Sequence, residues 1–178
     1  HLGELLPPLL SHVLLLRGYG TLRYRWNLAT AKPVLGTNPA EKLLTNGIRG
    51  SLKYSDFEWC SWTNNDSVSF TIDLLKPEVL NTLTLGCITN NGMAIHKPAS
   101  VKVEVSDDNS NFREAAMQSF TPEEIFREGN FIENLPLKLG GTQGRYVRVS
   151  AKGPGVCPAS HVRSGQASRI FFDEVMLE

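Results

Sequence analysis

The sequence predicts an all-β domain, a jelly-roll sandwich of about eight antiparallel strands. From residue 21 onward, apolar residues alternate with polar ones in one short run after another, which is the period of half-buried strands. These runs are rich in β-branched and aromatic residues, and turn segments such as KPE, NNG, SDDNSN, GGTQG and KGPG separate them. Strands and helices do not alternate along the chain, so a parallel sheet is not expected.

The predicted strands follow one another in chain order as TLRYRW, SVSFTIDL, LNTLTLGCIT, SVKVEVS, NFREAAMQSF, NFIENLPLKL, RYVRVSA and RIFFDEVML. In the second of them Val68, Phe70 and Ile72 share one face, whereas Ser, Thr and Asp occupy the other. The segment SDDNSNF between two alternating runs predicts a hairpin. The segment TPEEIF predicts one short helix, with Thr121 as N-cap, Pro122 at the first helical position and two glutamates in the first turn.

Residues 1–25 are expected to be an apolar leader or linker from a preceding domain, and residues 26–178 the sandwich domain. The leader is broken by Pro7 and Pro8 and is too short for a membrane span, which needs about 20 apolar residues. A packed linker or a short helix over residues 11–17 is favoured for it. Because the chain starts at His1 and not at Met, it is interpreted as a piece of a longer protein.

Composition limits the classes of partner. The 178 residues include 18 Lys or Arg and 18 Asp or Glu, so the net charge is zero and no basic block stands out. Nucleic acids and anionic membranes require clustered positive charge, so neither is an expected partner. The three cysteines, Cys60, Cys87 and Cys157, match no zinc or redox spacing. One bridge in any of three pairings is open, but three reduced thiols are expected.

Catalytic motifs are missing from this sequence. It has no GxSxG, no HExxH and no glycine-rich phosphate loop. Cys157 and His161 resemble a nucleophile and base only superficially, because nothing in the sequence activates the thiol. Asp107 and Asp108 fall in the predicted hairpin turn, where aspartates usually serve the backbone. The fragment is therefore not expected to be an enzyme.

The segment LLTNGIRGS at residues 43–51 has the oxygen donors of a calcium loop. Asn46 and Ser51 offer side-chain oxygens, and the two glycines let successive backbone carbonyls converge. A carboxylate would have to come from elsewhere, and the last predicted strand supplies Asp173 and Glu174. The alternative is a structural turn, since Asn-Gly is a common turn dipeptide.

Several segments together resemble a discoidin-type (coagulation factor type C) domain, from about Trp26 to Met176. They are NLATAKPV, LLTNGIRGS, IDL, HKPASVKVEVSDDNSNF, GRYVRVSAK and IFFDEVML. The sequence is most similar to the version of this domain at the C-terminus of bacterial family 20 glycoside hydrolases, the chitobiase or β-hexosaminidase group, and is similar to family 32 carbohydrate-binding modules. The resemblance implies a galactose-binding-domain-like jelly roll in a periplasmic or cell-surface hydrolase, without catalysis of its own.

The resemblance also implies a structural calcium. By motif position its ligands are the Leu44 carbonyl, Asn46, Ser51 and Glu174. The family commonly has Asp-Gly where this chain has Asn46-Gly47. One negative charge is therefore missing from the predicted set, which should weaken calcium binding.

Finally, the resemblance implies that three polar loops, at residues 39–63, 89–98 and 152–168, gather at one end of the sandwich and bind a GlcNAc- or galactose-containing glycan. Sugar sites combine an aromatic platform with a few fixed polar groups. Trp59 is favoured as a core residue by a narrow margin, which leaves Trp62 as the platform. His96 could instead cap a strand, and the loop histidine and arginine could serve the backbone of their own loop. The predicted contacts are Asp56, Glu58, Trp62, Asn91, His96, His161 and Arg163. The alternative to a sugar-binding domain is a structural domain that packs on the catalytic domain without binding sugar.

Overall fold

The computed structural model describes residues 12–15, 21–28, 43–62 and 67–178. In these residues it has eight strands, one short α-helix and one 3-10 turn, so the all-β prediction is confirmed. None of its helices is long or apolar enough, within these residues, to cross a membrane. The strands are β1 (His12–Leu15), β2 (Thr21–Leu28), β3 (Cys60–Trp62), β4 (Val68–Asn90), β5 (Ser100–Ser106), β6 (Arg113–Ser119), β7 (Asn130–Lys152) and β8 (Ile170–Leu177); the helix is α1 (Pro122–Ile125) and the 3-10 turn is Asn91–Met93.

Two long strands, β4 and β7, run through both layers of the sandwich. The N-terminal part of β4 (residues 68–73) pairs with the C-terminal part of β7 (residues 146–151). In this layer β4 also pairs with β2, and β7 also pairs with β5, which is followed by β6. The remaining parts of β4 and β7 also pair with each other, and there β4 pairs with β8, which pairs with β3. The register of the β4–β7 ladder shifts between Asp73 and Glu78 and again between Leu80 and Thr82. Such irregularities bend a strand, which lets the same pair of strands serve both layers.

The prediction of a chain reversal at KPE and at GGTQG is wrong. Each of these segments lies inside a continuous strand, and each joins two of the predicted runs into one strand of 23 residues. The glycine pair Gly140 and Gly141 takes positive φ values of 64° and 77°, a conformation that glycine adopts without steric cost. The local cues for a turn and for a bulge are the same residue types, so only the pairing partner distinguishes them.

The core between the layers is built from the alternating apolar positions. Val68, Phe70 and Ile72 are fully buried, as the period-two pattern predicts. On the opposite face of β4, the Ser69 hydroxyl lies 3.1 Å from that of Ser150 on β7. Cys60, Cys87 and Cys157 are all buried, and no disulfide joins two of them among the described residues. Burial raises the pKa of the Cys87 thiol well above its ordinary value.

The N-terminal segment departs from one expectation. Residues 12–15 form β1, which pairs antiparallel with β2, so the prediction of a short helix there is wrong. Strand β2 spans residues 21–28 and pairs with β4. Residues 1–11, 16–20, 29–42 and 63–66 lie outside the described part of the chain, and so do the predictions that concern them, including the rest of the leader and the edges of the first loop.

The predicted hairpin and helix are both confirmed. Strands β5 and β6 pair antiparallel around a turn in which Asp108 accepts hydrogen bonds from the backbone amides of Ser110 and Asn111. These bonds hold the pKa of Asp108 well below its usual range. In α1, Thr121 Oγ1 accepts from the Glu124 amide at 3.3 Å, and Glu124 Oε2 accepts from the Thr121 amide at 2.7 Å. This is a capping box, and it fixes the start of the connection into β7.

Candidate functional site

The first loop (residues 43–59) folds back onto two acidic residues of β8. The backbone amide of Gly47 donates to Glu174 Oε2 at 3.0 Å, although the two residues are 127 positions apart. The Asn46 side chain donates to Glu58 Oε2 at 2.8 Å, and its Oδ1 accepts from the Ile48 amide. The loop therefore places Asn46, Glu58 and Glu174 in one neighbourhood, as the calcium hypothesis requires of Asn46 and Glu174.

The neighbouring carboxylate, Asp173, accepts hydrogen bonds from a side chain and a backbone amide of the first loop. Its Oδ2 accepts from Arg49 Nε at 2.8 Å and from the Gly50 amide at 2.9 Å. Gly86 on β4 lies directly against Asp173, since a Cβ at that position would come within 1.9 Å of Oδ1. Burial raises the pKa of Asp173 in spite of the arginine. Asp173 is thus a structural anchor for the first loop.

Glu174 also has one buried carboxylate oxygen without a partner among the described residues, as Asp173 has at Oδ1. Its Oε1 has no hydrogen bond among the described residues. Burial raises the pKa of the Glu174 carboxyl to about 8. A buried, unpaired carboxylate oxygen is costly unless a cation or a proton occupies it.

The donors present fit a calcium ion. Glu174 Oε1, the Glu58 carboxylate and the Asn46 side-chain oxygen form an all-oxygen set, which calcium prefers. The carbonyl of Leu44 accepts from the Val175 amide, and that of Ser51 from the Trp59 indole, so each keeps one lone pair. Glu58, which the sequence assigned to a sugar, supplies the negative charge that Asn46 lacks.

A small apolar cluster connects the first loop to the rest of this end of the molecule. Trp59, Ile88, Ile95 and Phe171 pack together and are buried. The Trp59 ring lies directly against Gly50, where a Cβ would come within 2.2 Å of it. The cluster therefore fixes the first loop, the end of β4 and the start of β8 relative to one another.

The second loop (residues 89–98) is held between two strands. The Arg169 amide donates to the Ala94 carbonyl, and the His96 amide donates to the Arg169 carbonyl. On its other side, the Asn91 amide donates to the Gly129 carbonyl, just before β7 begins. Ala94 adopts a positive φ of 54°, which turns the chain back at this point.

The third loop (residues 152–168) closes on itself and then on the second loop. The Cys157 amide donates to the Gln166 carbonyl, and the Gly165 amide donates back to the Cys157 carbonyl. The exposed side chain of Arg163 reaches across, and its Nε donates to the Gly92 carbonyl at 2.7 Å. The second and third loops therefore meet at one end of the sandwich, as the resemblance implied.

Between these loops lies an open groove of about 600 Å³, here named the loop-end groove. Asn91 carries a buried Oδ1 that has no hydrogen bond among the described residues. The ring of Phe126 supplies an apolar wall. The groove is lined by Asn90, Asn91, Gly92, Phe126, Glu128, Gly129, Asn130, Pro158, Ser160, His161 and Val162.

A chain of hydrogen bonds lies under the groove and fixes the histidine tautomers. His161 Nδ1 accepts from the Arg163 amide at 2.9 Å, so its proton is on Nε2 and is donated to His96 Nε2 at 3.1 Å. His96 Nδ1–H then donates to Ser168 Oγ at 3.0 Å. Burial, with His161 second, lowers the pKa of His96 to about 4. Both nitrogens of His161 are therefore occupied, and this histidine contributes a ring wall, not a hydrogen bond, to the groove.

The structure divides the predicted sugar contacts other than Trp62 into three groups. Asn91 and His161 line the groove, and Arg163 lies at the same end. His96 is completely buried beneath His161, so a direct contact with a ligand in the groove is excluded in this state. Asp56 and Glu58 do not line the groove. Asp56 accepts from the amides of Ser51 and Glu58 and shapes the first loop, and Glu58 binds Asn46.

The prediction that Trp62 is an exposed platform is wrong. Its side chain is 2% exposed and lies in the main core, with its ring 5.7 Å from that of Phe172. Trp59 is also 2% exposed. Trp62 is buried because β3 pairs with β8, a pairing that the sequence of this short strand does not reveal, whereas Trp59 is buried in the small apolar cluster.

Sequence reasoning missed one whole side of the groove. Phe126, Glu128 and Asn130 come from the connection between α1 and β7, and Ser160 comes from the third loop. The register of the long strands brings the connection into place, since Asn130 pairs directly with Asn90. The signal available in the sequence was the aromatic Phe126 at the end of a predicted helix, directly followed by charged and glycine residues.

The chain is similar to a known domain family and to several solved structures. The sequence profile of the F5/8 type C domain matches residues 29–164. No curated protein matches the sequence. Among solved structures, the GH31 CBM32-2 module bound to GalNAc has a TM-score of 0.54 and 12% identity, over 88% of this chain and 97% of that one.

Two further structures cover a similar share of the chain. The CBM32-5 module of CpGH89 from Clostridium perfringens, in complex with GalNAc-β-1,3-galactose, has a TM-score of 0.52 and 16% identity, over 86% of this chain and 94% of that one. The C-terminal domain of a chitobiase from Bacteroides fragilis has a TM-score of 0.50 and 17% identity, over 86% and 92%. At these identities the structures establish the fold. Because the profile covers most of the sequence, the chain belongs to the F5/8 type C domain family, the discoidin-type domains.

Proposed function

We propose that this domain is a non-catalytic carbohydrate-binding module that holds a glycoside hydrolase on its glycan. The observation that carries the proposal is the loop-end groove, where one aromatic ring and several polar side chains from three separate segments surround an open depression. The buried Asn91 Oδ1 beside the groove has no partner, so a movement of this side chain toward a ligand hydroxyl or amide would remove the cost of an unsatisfied acceptor. Solved structures of similar fold carry GalNAc or GalNAc-β-1,3-galactose, which supports the class of ligand.

The groove has the mixed character that a sugar requires. Phe126 offers an apolar ring for the C–H face of a pyranose, whereas Glu128, Asn130 and Ser160 offer donors and acceptors for hydroxyl groups. Its volume of about 600 Å³ is within the usual range of small-ligand sites. The expected ligand is a GlcNAc- or galactose-containing glycan, including GalNAc.

Binding at this groove would serve the parent enzyme by raising its local concentration on glycan. Such a gain needs only modest affinity, because the second binding event is intramolecular. We propose a chitobiase or β-hexosaminidase as the parent catalytic domain, outside the cytoplasm of a bacterium. The similarity to the chitobiase C-terminal domain supports this parent.

The first test is a calorimetric titration with galactose, GalNAc and GlcNAc. We expect binding of at least one of them, and a tenfold or greater loss of affinity in Asn91→Ala and in Phe126→Ala. The matched control is Asn111→Ala, an exposed asparagine in the hairpin turn at residues 107–111, which should bind as the unchanged domain does. No heat for any of the three sugars, or equal affinity in all variants, would contradict the proposal.

A calcium ion in the first loop is the second part of the proposed function. Glu174, Glu58, Asn46 and the carbonyls of Leu44 and Ser51 would hold it, and its charge would neutralise the buried carboxylates. The unpartnered Glu174 Oε1 supports this assignment. The role of the ion would be structural, since the first loop reaches the groove only at its edge, where Asn130 Nδ2 lies 3.4 Å from the Leu52 carbonyl.

Asn46→Asp tests the calcium set by restoring the family's charge. In the metal-free protein it places a carboxylate against Glu58 Oε2, now 2.8 Å from Asn46 Nδ2, and should lower the free energy of unfolding by about 1–3 kcal/mol. With calcium the extra charge should tighten binding. Thermal unfolding in EDTA and in calcium measures both effects. A variant that is equally stable in both buffers would refute the site.

The competing function is packing against a neighbouring domain without sugar binding. Three large apolar side chains of the first loop favour it: Ile48 is 52% exposed, Leu52 53% and Phe57 68%. Exposed apolar groups that cluster on a surface commonly mark contacts with other proteins. No heat in the sugar titration, together with a poor solubility of the isolated domain that Phe57→Ser improves, would favour this alternative.

A further inference from the structure

A buried cluster of nitrogen and sulfur ligands lies under the loop-end groove. It consists of His96 from the second loop and Cys157 and His161 from the third. One ligand atom from each residue lies within 4.8 Å of the other two. His96 and Cys157 are buried, and His161 is 9% exposed and lines the groove.

We propose that His96, Cys157 and His161 bind one transition-metal ion of the zinc class. The distance between the two Nε2 atoms is 3.1 Å. Two imidazole ligands at 2.0–2.1 Å in a tetrahedral zinc site are separated by about 3.3 Å, so the two rings need to move only slightly. The thiolate completes a three-residue set, and water entering from the groove takes the fourth position, as in open zinc sites.

The type of donor distinguishes this site from the proposed calcium site. Imidazole nitrogen and thiolate sulfur suit zinc, cobalt and copper, whereas calcium takes oxygen ligands. The cluster contains no carboxylate among its three donors. The proposal therefore depends neither on calcium nor on sugar binding.

One ligand is already oriented by a neighbour. His96 Nδ1 lies 3.0 Å from Ser168 Oγ, and the hydrogen bond there keeps the proton on Nδ1. The Nε2 lone pair, which accepts from His161 in the metal-free state, is then the one that binds the metal. Metal-binding histidines commonly have such an outer partner, which fixes the tautomer and the ring. Ser168 also lies 3.5 Å from Cys157 Sγ, so one hydroxyl contacts two of the three ligands.

Metal binding has to rearrange the protons of the cluster. In the metal-free state the proton between the rings is on His161 Nε2, because Nδ1 accepts from the Arg163 amide. On binding, His161 gives up the Nε2 proton and takes one on Nδ1, so that it stays neutral. The Arg163 amide turns away from Nδ1, and the Cys157 thiol releases its proton to solvent. One proton is therefore released for each ion bound, and two hydrogen bonds, that of the Arg163 amide and that between the two rings, are exchanged for three metal–ligand bonds.

The test uses Co²⁺, which reports a thiolate ligand by a charge-transfer absorption band in the near ultraviolet. The metal-free domain is titrated with CoCl₂ and then with ZnCl₂, in a buffer that contains calcium to fill any oxygen site. We expect one Co²⁺ per chain, a thiolate band, visible bands of a tetrahedral site, and displacement of cobalt by zinc. Proton release should approach one per ion at a pH at which the free thiol is protonated.

Variants decide which residues are responsible. Cys157→Ser should abolish the thiolate band, and His161→Gln should weaken binding at least tenfold. Cys87→Ala, which removes a buried thiol outside the cluster, should leave the spectrum unchanged. Far-ultraviolet circular dichroism confirms that each variant is folded.

The proposal is overturned if folded, unchanged domain gives no thiolate band, or if the band survives Cys157→Ser. Survival would assign the metal to Cys60 or Cys87. If cobalt binds without a thiolate band and still binds to His161→Gln, the metal belongs to histidines elsewhere, such as His1 or His12. That result would also overturn the proposal.

Discussion

Replacing Glu174 with glutamine is expected to stabilise the metal-free domain by about 3 kcal/mol at pH 7. Burial raises the pKa of this carboxyl to about 8 in the folded state, against an ordinary value of 4.5. Between those values the folded protein binds more protons than the unfolded chain, so the contribution of Glu174 to stability falls as the pH rises. Below pH 4.5 both states are protonated, and the difference between glutamate and glutamine disappears.

The measurement is urea unfolding of both proteins in EDTA at pH 4.5 and pH 8. His96 titrates in the opposite sense, because its pKa is lowered to about 4, so the informative quantity is the difference between the two proteins at each pH. Glu114→Gln, an exposed glutamate on β6, is the matched control. A glutamine variant that is less stable than the unchanged domain at pH 8 in EDTA would contradict the unpaired, buried state of Glu174.

Calcium should reverse the order of the two proteins. The ion neutralises the buried carboxylate and stabilises the unchanged domain by mass action, whereas Glu174→Gln has lost the charged ligand. In millimolar calcium we therefore expect the unchanged domain to be the more stable of the two at pH 8. Equal responses to calcium would remove Glu174 from the ligand set.

Trp62→Ala is expected to lower the free energy of unfolding by about 3–5 kcal/mol. The side chain is buried in the core against Phe172, so its removal leaves a cavity. Phe57→Ala, at a residue that is 68% exposed, should change stability by less than about 0.5 kcal/mol.

The same variant separates a core role from a binding role. At a temperature where Trp62→Ala remains folded, its affinity for sugar should equal that of the unchanged domain. Chemical unfolding and calorimetry on one preparation measure both quantities. Sugar binding that is lost while stability is kept would restore Trp62 as a platform and refute its buried position.

Local patterns were sufficient for most of the scaffold. Period-two alternation located the apolar face at Val68, Phe70 and Ile72, and the capping signals located α1. These features depend on residues that are close in sequence. The alternation could not show that KPE and GGTQG lie inside strands, because a bulge and a reversal use the same residues, and only the register of β4 against β7 decides.

The candidate site was less predictable, because it is made by contacts between distant segments. The family resemblance brought Asn46 and Glu174 together correctly, but nothing local showed that Glu58 would turn toward Asn46. Likewise, Asn130 reaches the groove because it pairs with Asn90 across two strands of 23 residues each. Aromatic character alone could not separate a core tryptophan from a platform, since both are large apolar rings.

The central claim is that the second loop, the third loop and the connection into β7 form one sugar-binding groove. The most direct measurement is a titration of ¹⁵N-labelled domain with GalNAc, followed by amide chemical shifts. We predict that the shifts concentrate at residues 90–92, 126–130 and 158–162, with Asn91 among the largest. Shifts confined to the first loop, or none with GalNAc raised to the limit of its solubility, would contradict the claim.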